Sequence, residues 1–437
     1  MVRIDRTPGQ RGSAGPSLSR QQPVTAGNGD RSPSLLGVLR NRAFGLYFVG
    51  SGISNIGTWF QNIAQSLLVY RLTESTLLVG VVNLATYVGL VVLAPWAGPM
   101  ADRHDRRRLL LATQVVASCI AAFLWVVVVV GAENTALIVG AALMMGVAVA
   151  FSVPALQSLV PALVPEGHLS RALSLNAVSF NTARAVGPVL GAMVVAGLGF
   201  GWAFFLNTAS FFAFVVALLV IRPRSSPKGM ATGRLRDTAA MLRRDVRLLG
   251  LLAVVALASL TADPINTIGP EFATRIYGFQ DTFAGWMIGA FGVGAVAGAL
   301  AVSRVNLPSI GLVASMLVAG GSGMFVFGVA DGPVAGLMGL CLAGFGWLAA
   351  VMLATTAIHT LVEDRHRGRV MAFWSIAFMG VRPLSSLLSG LLATAGGPRA
   401  AALLMATPAV LGAAGLLLAR VCTGYGFIGL DGGSSDR

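Results

Sequence analysis

Twelve apolar runs, separated by short polar segments, divide most of the 437-residue sequence. An α-helix needs about 20 residues to cross the ~30 Å hydrocarbon core of a bilayer, and each run is long enough. Charged residues make up only 11% of the chain, against roughly 25% in soluble proteins. The sequence therefore predicts an all-α membrane protein with spans at Phe44–Leu68, Leu77–Met100, Leu109–Gly131, Thr135–Leu163, Ala172–Leu198, Trp202–Ile221, Leu248–Ala273, Phe283–Val302, Ile310–Val329, Val334–Leu361, Val370–Ala395 and Ala400–Ala419.

Basic residues are concentrated in alternate loops. If the N-terminus is cytoplasmic, only Arg71, Arg275 and Arg399 of the 31 Lys and Arg residues fall in outer loops, and Arg184 and Arg382 lie within spans. Because short basic loops stay in the cytoplasm, this bias predicts an even number of crossings with both termini cytoplasmic. The net charge of +14 then reflects membrane topology, and no nucleic-acid partner is expected.

Polar segments divide the chain into five parts. Residues 1–39 and 421–437 are predicted to be cytoplasmic tails, the first of them disordered because it has too little apolar surface to fold. Residues 40–222 and 247–420 each hold six spans, joined by a cytoplasmic linker, 223–246. Within the linker, Leu235, Ala239, Leu242 and Val246 recur at helical spacing, which fits an interfacial helix or, alternatively, a flexible linker.

The two six-span halves resemble each other. His168, Arg171 and Arg184 recur 198 positions later as His366, Arg369 and Arg382. Gly98 and Ala101 recur 200 positions later as Gly298 and Ala301. Halves duplicated in the same orientation are typical of transporters in which the substrate path runs between them.

The loop after the second span carries the pattern Gly98-x-x-Ala-Asp102-Arg103-x-x-Arg106-Arg. With the duplicated halves, it resembles the signature loop of the major facilitator superfamily, although Asp105 replaces the usual second glycine. The resemblance covers nearly all of residues 40–420 and is nearest to the branch of enterobactin exporters and macrolide efflux proteins. It implies the major facilitator fold, with twelve transmembrane helices in two six-helix pseudo-symmetric halves.

The same resemblance assigns a conformational switch to Gly98, Asp102, Arg103 and Arg106. Asp102 would meet the positive N-terminal end of a helix from the other half. By the repeat, that helix is the eleventh, beginning near Arg369. An anion there gains ~0.3–1 kcal/mol when exposed and up to ~2 when partly buried. The contact would hold the cytoplasmic side closed.

The fifth span contains Arg184, Gly187, Pro188 and Gly191, which resemble the Gly-Pro-centred motif of drug:proton antiporters. Pro188 would bend the helix, and the two glycines would allow close packing against a neighbour. The motif is associated with exporters. A generic kinked and tightly packed helix would carry the same residues.

A polar stripe runs along the first span through Asn55, Thr58, Gln61, Asn62 and Gln65. Spacings of three and four place these side chains on one face of a helix. Lipid cannot satisfy them, so the stripe is predicted to line the substrate cavity. Hydrogen bonding between neighbouring helices is the alternative.

Few ionisable residues lie inside the predicted spans. Asp263, in the seventh span, is the first candidate for proton coupling because burial disfavours a charged carboxylate. Glu271 and Arg382 are further candidates. Alternatively, Asp263 forms a structural pair with Arg184 or Arg382. Drug:proton antiporters usually carry an arginine in the fourth span, and Thr135–Leu163 has none.

The function expected from the resemblance is export of a small amphipathic or hydrophobic compound across the cytoplasmic membrane. The compound would be a drug, an antibiotic or a siderophore, moved by alternating access and proton antiport. The expected partners are this compound, protons and the lipid bilayer, with the chain a monomer. Neither a cofactor, a metal site nor enzymatic activity is expected, because no His, Asp or Cys cluster shows a recognisable spacing. A lipid or lysophospholipid flippase of the same fold is the alternative.

Overall fold

The computed structural model describes residues 35–221, 245–362 and 364–423, and within these ranges all the regular structure is helical. A short helix, Leu35–Leu39, precedes the longer ones, and another, Ile265–Glu271, continues into a π-helical turn, Phe272–Ile276. The longer helices are α1 Arg42–Thr73, α2 Thr76–Arg103, α3 Arg106–Val129, α4 Thr135–Leu163, α5 Leu169–Leu198, α6 Phe200–Val220, α7 Val246–Ala262, α8 Phe283–Val302, α9 Ile310–Val329, α10 Pro333–Leu361, α11 Asp364–Met379 and α12 Arg382–Thr423.

Ten helical segments of the described chain are long and apolar enough to cross a membrane. One of them, Phe373–Val421, contains two crossings, because Gly397 has a φ of 83° and bends α12 at this point. A positive φ is tolerated by glycine, which has no Cβ. The 32-residue α1 is also long enough to span, although its polar stripe lowers its hydropathy. The described chain therefore has the twelve crossings that the apolar runs predict.

Helices α1–α6 form one half of the bundle, and α7–α12 form the other. The halves meet where α2 packs against α12 and where α5 packs against α8. At the second contact the glycines of α8 let the backbones approach, since a Cβ on Gly285 would lie 2.7 Å from the Pro188 carbonyl oxygen. Small residues favour such close helix packing in membranes.

The segment boundaries differ from the sequence prediction at the ends of the halves. Leu35–Leu39 is helical, and Val38 is buried against α1, so the predicted disordered tail, 1–39, extends too far. Val38 and Leu39 pack against the first half of the bundle, a contact that composition alone does not show. The helix α12 continues to Thr423, three residues beyond the predicted end of the second half. The rest of both tails and linker residues 222–244, including most of the possible interfacial helix, lie outside the described residues.

Candidate transport site

Three charged side chains are buried at mid-depth in the bundle. Asp263 follows α7 at the break in the seventh span, Arg184 lies in the middle of α5, and Arg382 begins α12. Their exposed fractions are 2%, 8% and 3%. Arg184 belongs to the first half and the other two to the second. Because Arg184 interacts electrostatically with both Asp263 and Arg382, the structure brings charges from both halves together.

Asp263 is surrounded by donors from its own half. Its Oδ1 lies 3.7 Å from Arg382 Nε. Asn266 Nδ2 donates to the same oxygen at 3.4 Å, and Ser386 Oγ donates to Oδ2 at 3.4 Å. For this residue, the geometry therefore matches the structural pair that the sequence left open, with Arg382 as the partner.

Arg382 also connects the halves. Its guanidinium carbon lies 5.1 Å from the ring centre of Tyr87, which belongs to α2 in the first half, and 5.6 Å from the ring centre of Phe378 in α11. Such cation–π contacts contribute about 0.5–2 kcal/mol, more when desolvated. A change in the charge of Asp263 would consequently act on a residue that contacts the opposite half.

Arg184 has a different environment from Arg382. Its guanidinium carbon lies 4.2 Å from the ring centre of Trp347, in α10, and 5.6 Å from the ring centre of Trp59, in α1. Its Nη1 is buried with no hydrogen-bond partner among the described residues. The two rings position the guanidinium group, but they supply no hydrogen-bond acceptor for Nη1.

A narrow cavity lies beside Arg184 between the two halves. Arg184, Asn266 and Trp347 are the lining residues with polar side-chain atoms, and the other lining residues are apolar. The lining residues are Arg184, Ala185, Ile265, Asn266, Ile288, Phe291, Gly292, Ala295, Val296 and Trp347. Substrate sites of duplicated transporters lie at this depth, at the interface of the repeats.

The end of the bundle opposite the loop between α2 and α3 is closed by contacts between the halves. Arg71, near the end of α1, donates to both carboxylate oxygens of Asp281, at 2.7 and 2.8 Å. Next to this pair, the hydroxyl groups of Tyr70 and Thr274 are 3.0 Å apart. We call this set of contacts, including those of Glu271 described next, the opposite-end closure.

Glu271, the second proton candidate, lies in this closure and not beside Asp263. Its carboxylate accepts a hydrogen bond from Thr76 of the first half and another, of 2.9 Å, from Arg275. The residue is 4% exposed. Its contacts join the halves at the opposite end.

Comparison with known proteins decides the family. The family model described as a transmembrane secretion effector, within the major facilitator superfamily (MFS), matches residues 33–424. The chain belongs to this family. It is thus an MFS transporter of the exporter-like group, a multi-pass protein of the cytoplasmic membrane, as the sequence predicted.

Two curated relatives are named for siderophores. The transporter is 26% identical over 355 residues to the enterobactin exporter EntS of Shigella boydii, covering 76% of this chain and 81% of that protein. It is 24% identical over 362 residues to the staphyloferrin A transporter of Staphylococcus aureus, covering 79% and 88%. Among solved structures, a bacterial homologue of the human lysosomal transporter Spinster, inward-facing and occupied, matches with a TM-score of 0.70 at 11% identity, covering 87% and 97%. This last likeness shows the fold.

The polar stripe of α1 is divided between two environments. Gln61 is buried and accepts a 2.6 Å hydrogen bond from Asn207 of α6, which matches the helix-to-helix alternative. Asn55, Thr58 and Asn62 are half-buried on the part of α1 between its contacts with α5 and α6. Gln65 is buried, and its Nε2 has no partner among the described residues. Cavity lining remains a prediction for Asn55, Thr58, Asn62 and Gln65.

The fifth-span motif of the transporter forms contacts on two sides. A Cβ on Gly187 would lie 2.6 Å from Trp59 Cβ, and one on Gly191 would lie 2.8 Å from Ile63 Cγ2. Both glycines therefore hold α5 close to α1. Pro188 is buried within α5 and faces Gly285 of α8. The motif thus supports the stacking of Arg184 on Trp59 and the contact between the halves.

The switch residues of the transporter lie at the end that carries the basic loop. Asp102 and Arg369 fall within α2 and α11, but their side chains lie outside the described ones, so their contact stays a prediction. Arg103 is exposed, and Gly98 has open space around the position of a Cβ. Arg106 Nη1 donates to the Ser158 carbonyl at 3.2 Å.

Arg107, which the sequence did not assign beyond topology, contacts the last turn of α6. It donates 2.6 Å hydrogen bonds to the carbonyl oxygens of Leu218 and Leu219. The final carbonyls of a helix have no intrahelical partner, and a basic side chain commonly satisfies them. Arg107 therefore fixes the loop to the first half.

Sequence reasoning missed the aromatic residues around the charges and the acid at the opposite end. Trp59, Tyr87 and Trp347 stand in apolar runs, where an aromatic side chain gives no signal of a charged neighbour. Asp281 was detectable in principle. It is an acid in a short loop that the charge bias predicts to be outer, and Arg71 is one of the few cations predicted on that side. Among the described residues, no group of His, Cys, Asp and Glu could hold a metal ion.

Proposed function

We propose that this transporter exports a small amphipathic compound by alternating access and exchanges it for protons through Asp263. The observation that carries the proposal is the buried cluster at mid-depth, in which Arg184 from one half interacts electrostatically with Asp263 and Arg382 from the other. Buried charges in a membrane protein are costly and mark substrate or proton pathways. The chain acts in this proposal as a transporter and not as an enzyme.

The opposite-end closure supports alternating access. Arg71–Asp281, Tyr70–Thr274 and Thr76–Glu271 all connect the two halves there. If the basic loops and both termini are cytoplasmic, these contacts close the outer side, and the predicted contact of Asp102 with α11 closes the inner side in the other state. Each state would break one set of contacts and form the other.

Proton exchange would act through the Asp263–Arg382 pair. A proton arriving on Asp263 neutralises the carboxylate and weakens its attraction for Arg382, which also contacts Tyr87 of the first half. Loss of the proton restores the pair. One bound proton is thus coupled to a change at the contact between the halves, which is the requirement for antiport.

Siderophores are the first compounds to test, because the relatives are named as an enterobactin exporter and a staphyloferrin A transporter. The experiment uses inside-out proteoliposomes with an imposed pH gradient and follows uptake of enterobactin, staphyloferrin A, erythromycin and a fluorescent lysophospholipid. We expect gradient-driven uptake of at least one of the first three. Asp263→Asn should abolish it.

Asp331→Asn is the matched control, because Asp331 forms an exposed pair with Arg399 far from the cluster. It should transport normally. Proton antiport would be contradicted if uptake did not depend on the pH gradient. It would also be contradicted if Asp263→Asn took up the compound as well as the wild-type protein. Movement of the lysophospholipid alone would support the flippase alternative.

A further inference from the structure

The cavity beside Arg184 contains two buried donors that have no acceptor. Arg184 Nη1 and Trp347 Nε1 both lack a hydrogen-bond partner among the described residues, and both side chains line this cavity. Arg184 is 8% exposed and Trp347 is 3% exposed. A donor buried without an acceptor is unfavourable, and such groups in native proteins call for an explanation. Acceptor atoms of a bound molecule in the cavity would satisfy them.

The charge of the cluster is also unbalanced. Asp263 is engaged by Arg382, Asn266 and Ser386. Arg184 has no acid of its own and contacts aromatic rings instead. With one carboxylate for two guanidinium groups, the described centre of the bundle carries excess positive charge. In a low-dielectric interior, this charge attracts an anion strongly.

From these two observations we propose that the cavity binds a carboxylate group of the transported compound, with Arg184 as its main contact. A guanidinium presents a planar pair of donors that matches a carboxylate. Most of the other lining residues are apolar, with Ile288, Phe291 and Val296 among them. The ligand class is therefore an organic carboxylate with an apolar body. The inference rests on the proposed function, because it names the substrate class at that site.

The experiment measures binding to the purified full-length protein in nanodiscs by quenching of tryptophan fluorescence. The probes are phenylbutyrate, its neutral amide and phenylbutylamine, which share a body and differ in charge. We expect phenylbutyrate to bind about tenfold more tightly than the amide, and the amine to bind least. Arg184→Gln should remove the preference for the carboxylate, whereas Arg184→Lys should keep part of it because the charge is retained.

Arg399→Gln is the control, since Arg399 is paired with the exposed Asp331, outside both the cluster and the opposite-end closure; it should retain the full preference. The proposal is overturned if the wild-type protein shows no preference for phenylbutyrate, including no binding of any probe, or if Arg184→Gln retains the preference. If Arg184→Gln does not fold, the proposal is tested by the relative affinities of the three probes for the wild-type protein and for Arg184→Lys.

Failure of this inference is distinguishable from failure of the proposed function. Gradient-driven uptake of a neutral or cationic compound, without carboxylate binding, would leave export standing and remove the anion site. Carboxylate binding that depends on Arg184, without gradient-driven uptake of any compound, would leave the site standing and remove proton antiport.

Discussion

The two halves of the transporter place an arginine at the same position of the repeat and surround it differently. In the second half, Arg382 Nε lies 3.7 Å from Asp263. In the first half, Arg184 stacks on Trp59 of the same half and on Trp347 of the second half. Trp59 and Asp263 lie at matching depths, 14 residues before the end of α1 at Thr73 and 13 before the end of the π turn at Ile276.

The difference teaches how a duplicated frame acquires separate functions. The repeat preserves two cations at mid-depth, where each costs free energy unless compensated. One half supplies a carboxylate, which balances the charge and is able to take up a proton. Arg184 instead has an indole from each half, Trp59 and Trp347, which position the guanidinium and leave its charge available. The Asp263–Arg382 pair is therefore suited to proton coupling, and Arg184 to binding a substrate.

Asp263→Asn is expected to have the largest effect. It removes the one acid of the central cluster and leaves two buried guanidinium groups without a counter-charge. Breaking a buried pair by removing one partner costs ~3–5 kcal/mol. We expect loss of gradient-driven uptake and a lower free energy of unfolding in SDS. Full activity of this variant would contradict the division of roles.

Comparing Arg382→Gln with Arg184→Gln tests the asymmetry itself. Arg382→Gln leaves Asp263 without its nearest counter-charge and should lower the free energy of unfolding by about 3 kcal/mol or more. Arg184→Gln loses cation–π contacts of ~0.5–2 kcal/mol but also removes an unpaired buried charge. We expect its net effect to stay within ~1 kcal/mol. Similar losses in the two variants, measured by SDS unfolding, would show that the arginines are equivalent.

Trp59→Leu sharpens the role of the indole. The substitution keeps an apolar side chain against Gly187 but removes the ring 5.6 Å from the Arg184 guanidinium carbon. We expect phenylbutyrate affinity to fall by a few-fold, which corresponds to roughly 1 kcal/mol. Trp202→Leu is a suitable control, because Trp202 is exposed on the bundle surface. An equal fall in both variants would argue against positioning by Trp59.

The smallest effects are expected at the two ends of the bundle. Arg71→Gln removes the Arg71–Asp281 pair, and since Arg71 is partly exposed the loss should be about 1 kcal/mol or less. It should shift the population toward opening at the opposite end by a few-fold.

Asp102→Asn should weaken transport and favour opening at the basic end while membrane insertion stays intact. Distances between spin labels placed at each end measure both shifts, and changes at the same end would contradict the two-closure account.

Most of the fold was predictable because a bilayer allows few alternatives. A chain with twelve apolar runs and alternating basic loops must satisfy its backbone inside helices, and the 198-residue repeat of Arg184 and Arg382 indicates two halves. The break after Asp263 was signalled by Pro264. The break at Gly397 was predicted as well, because this residue falls between the apolar runs Val370–Ala395 and Ala400–Ala419, although its positive φ was not.

The pairing inside the site was not predictable. The sequence does not show which of the two arginines pairs with Asp263. The packing of α12 against α7 places Arg382 beside it. Gln61 shares a helix face with Asn55 and Asn62, but Asn207 of α6 engages it. A helix face shows which side chains avoid lipid, whereas their partners depend on which helix packs there.

A double-mutant cycle measures which arginine is the partner of Asp263. Substituting Asp263 with Asn together with each arginine in turn gives the coupling energy of Asp263 to Arg382 and to Arg184, measured by SDS unfolding. Direct partners typically couple by ~0.5–3 kcal/mol. The account predicts ~2–3 kcal/mol for Arg382 and ~1 kcal/mol or less for Arg184. Equal couplings, or a larger one for Arg184, would contradict it.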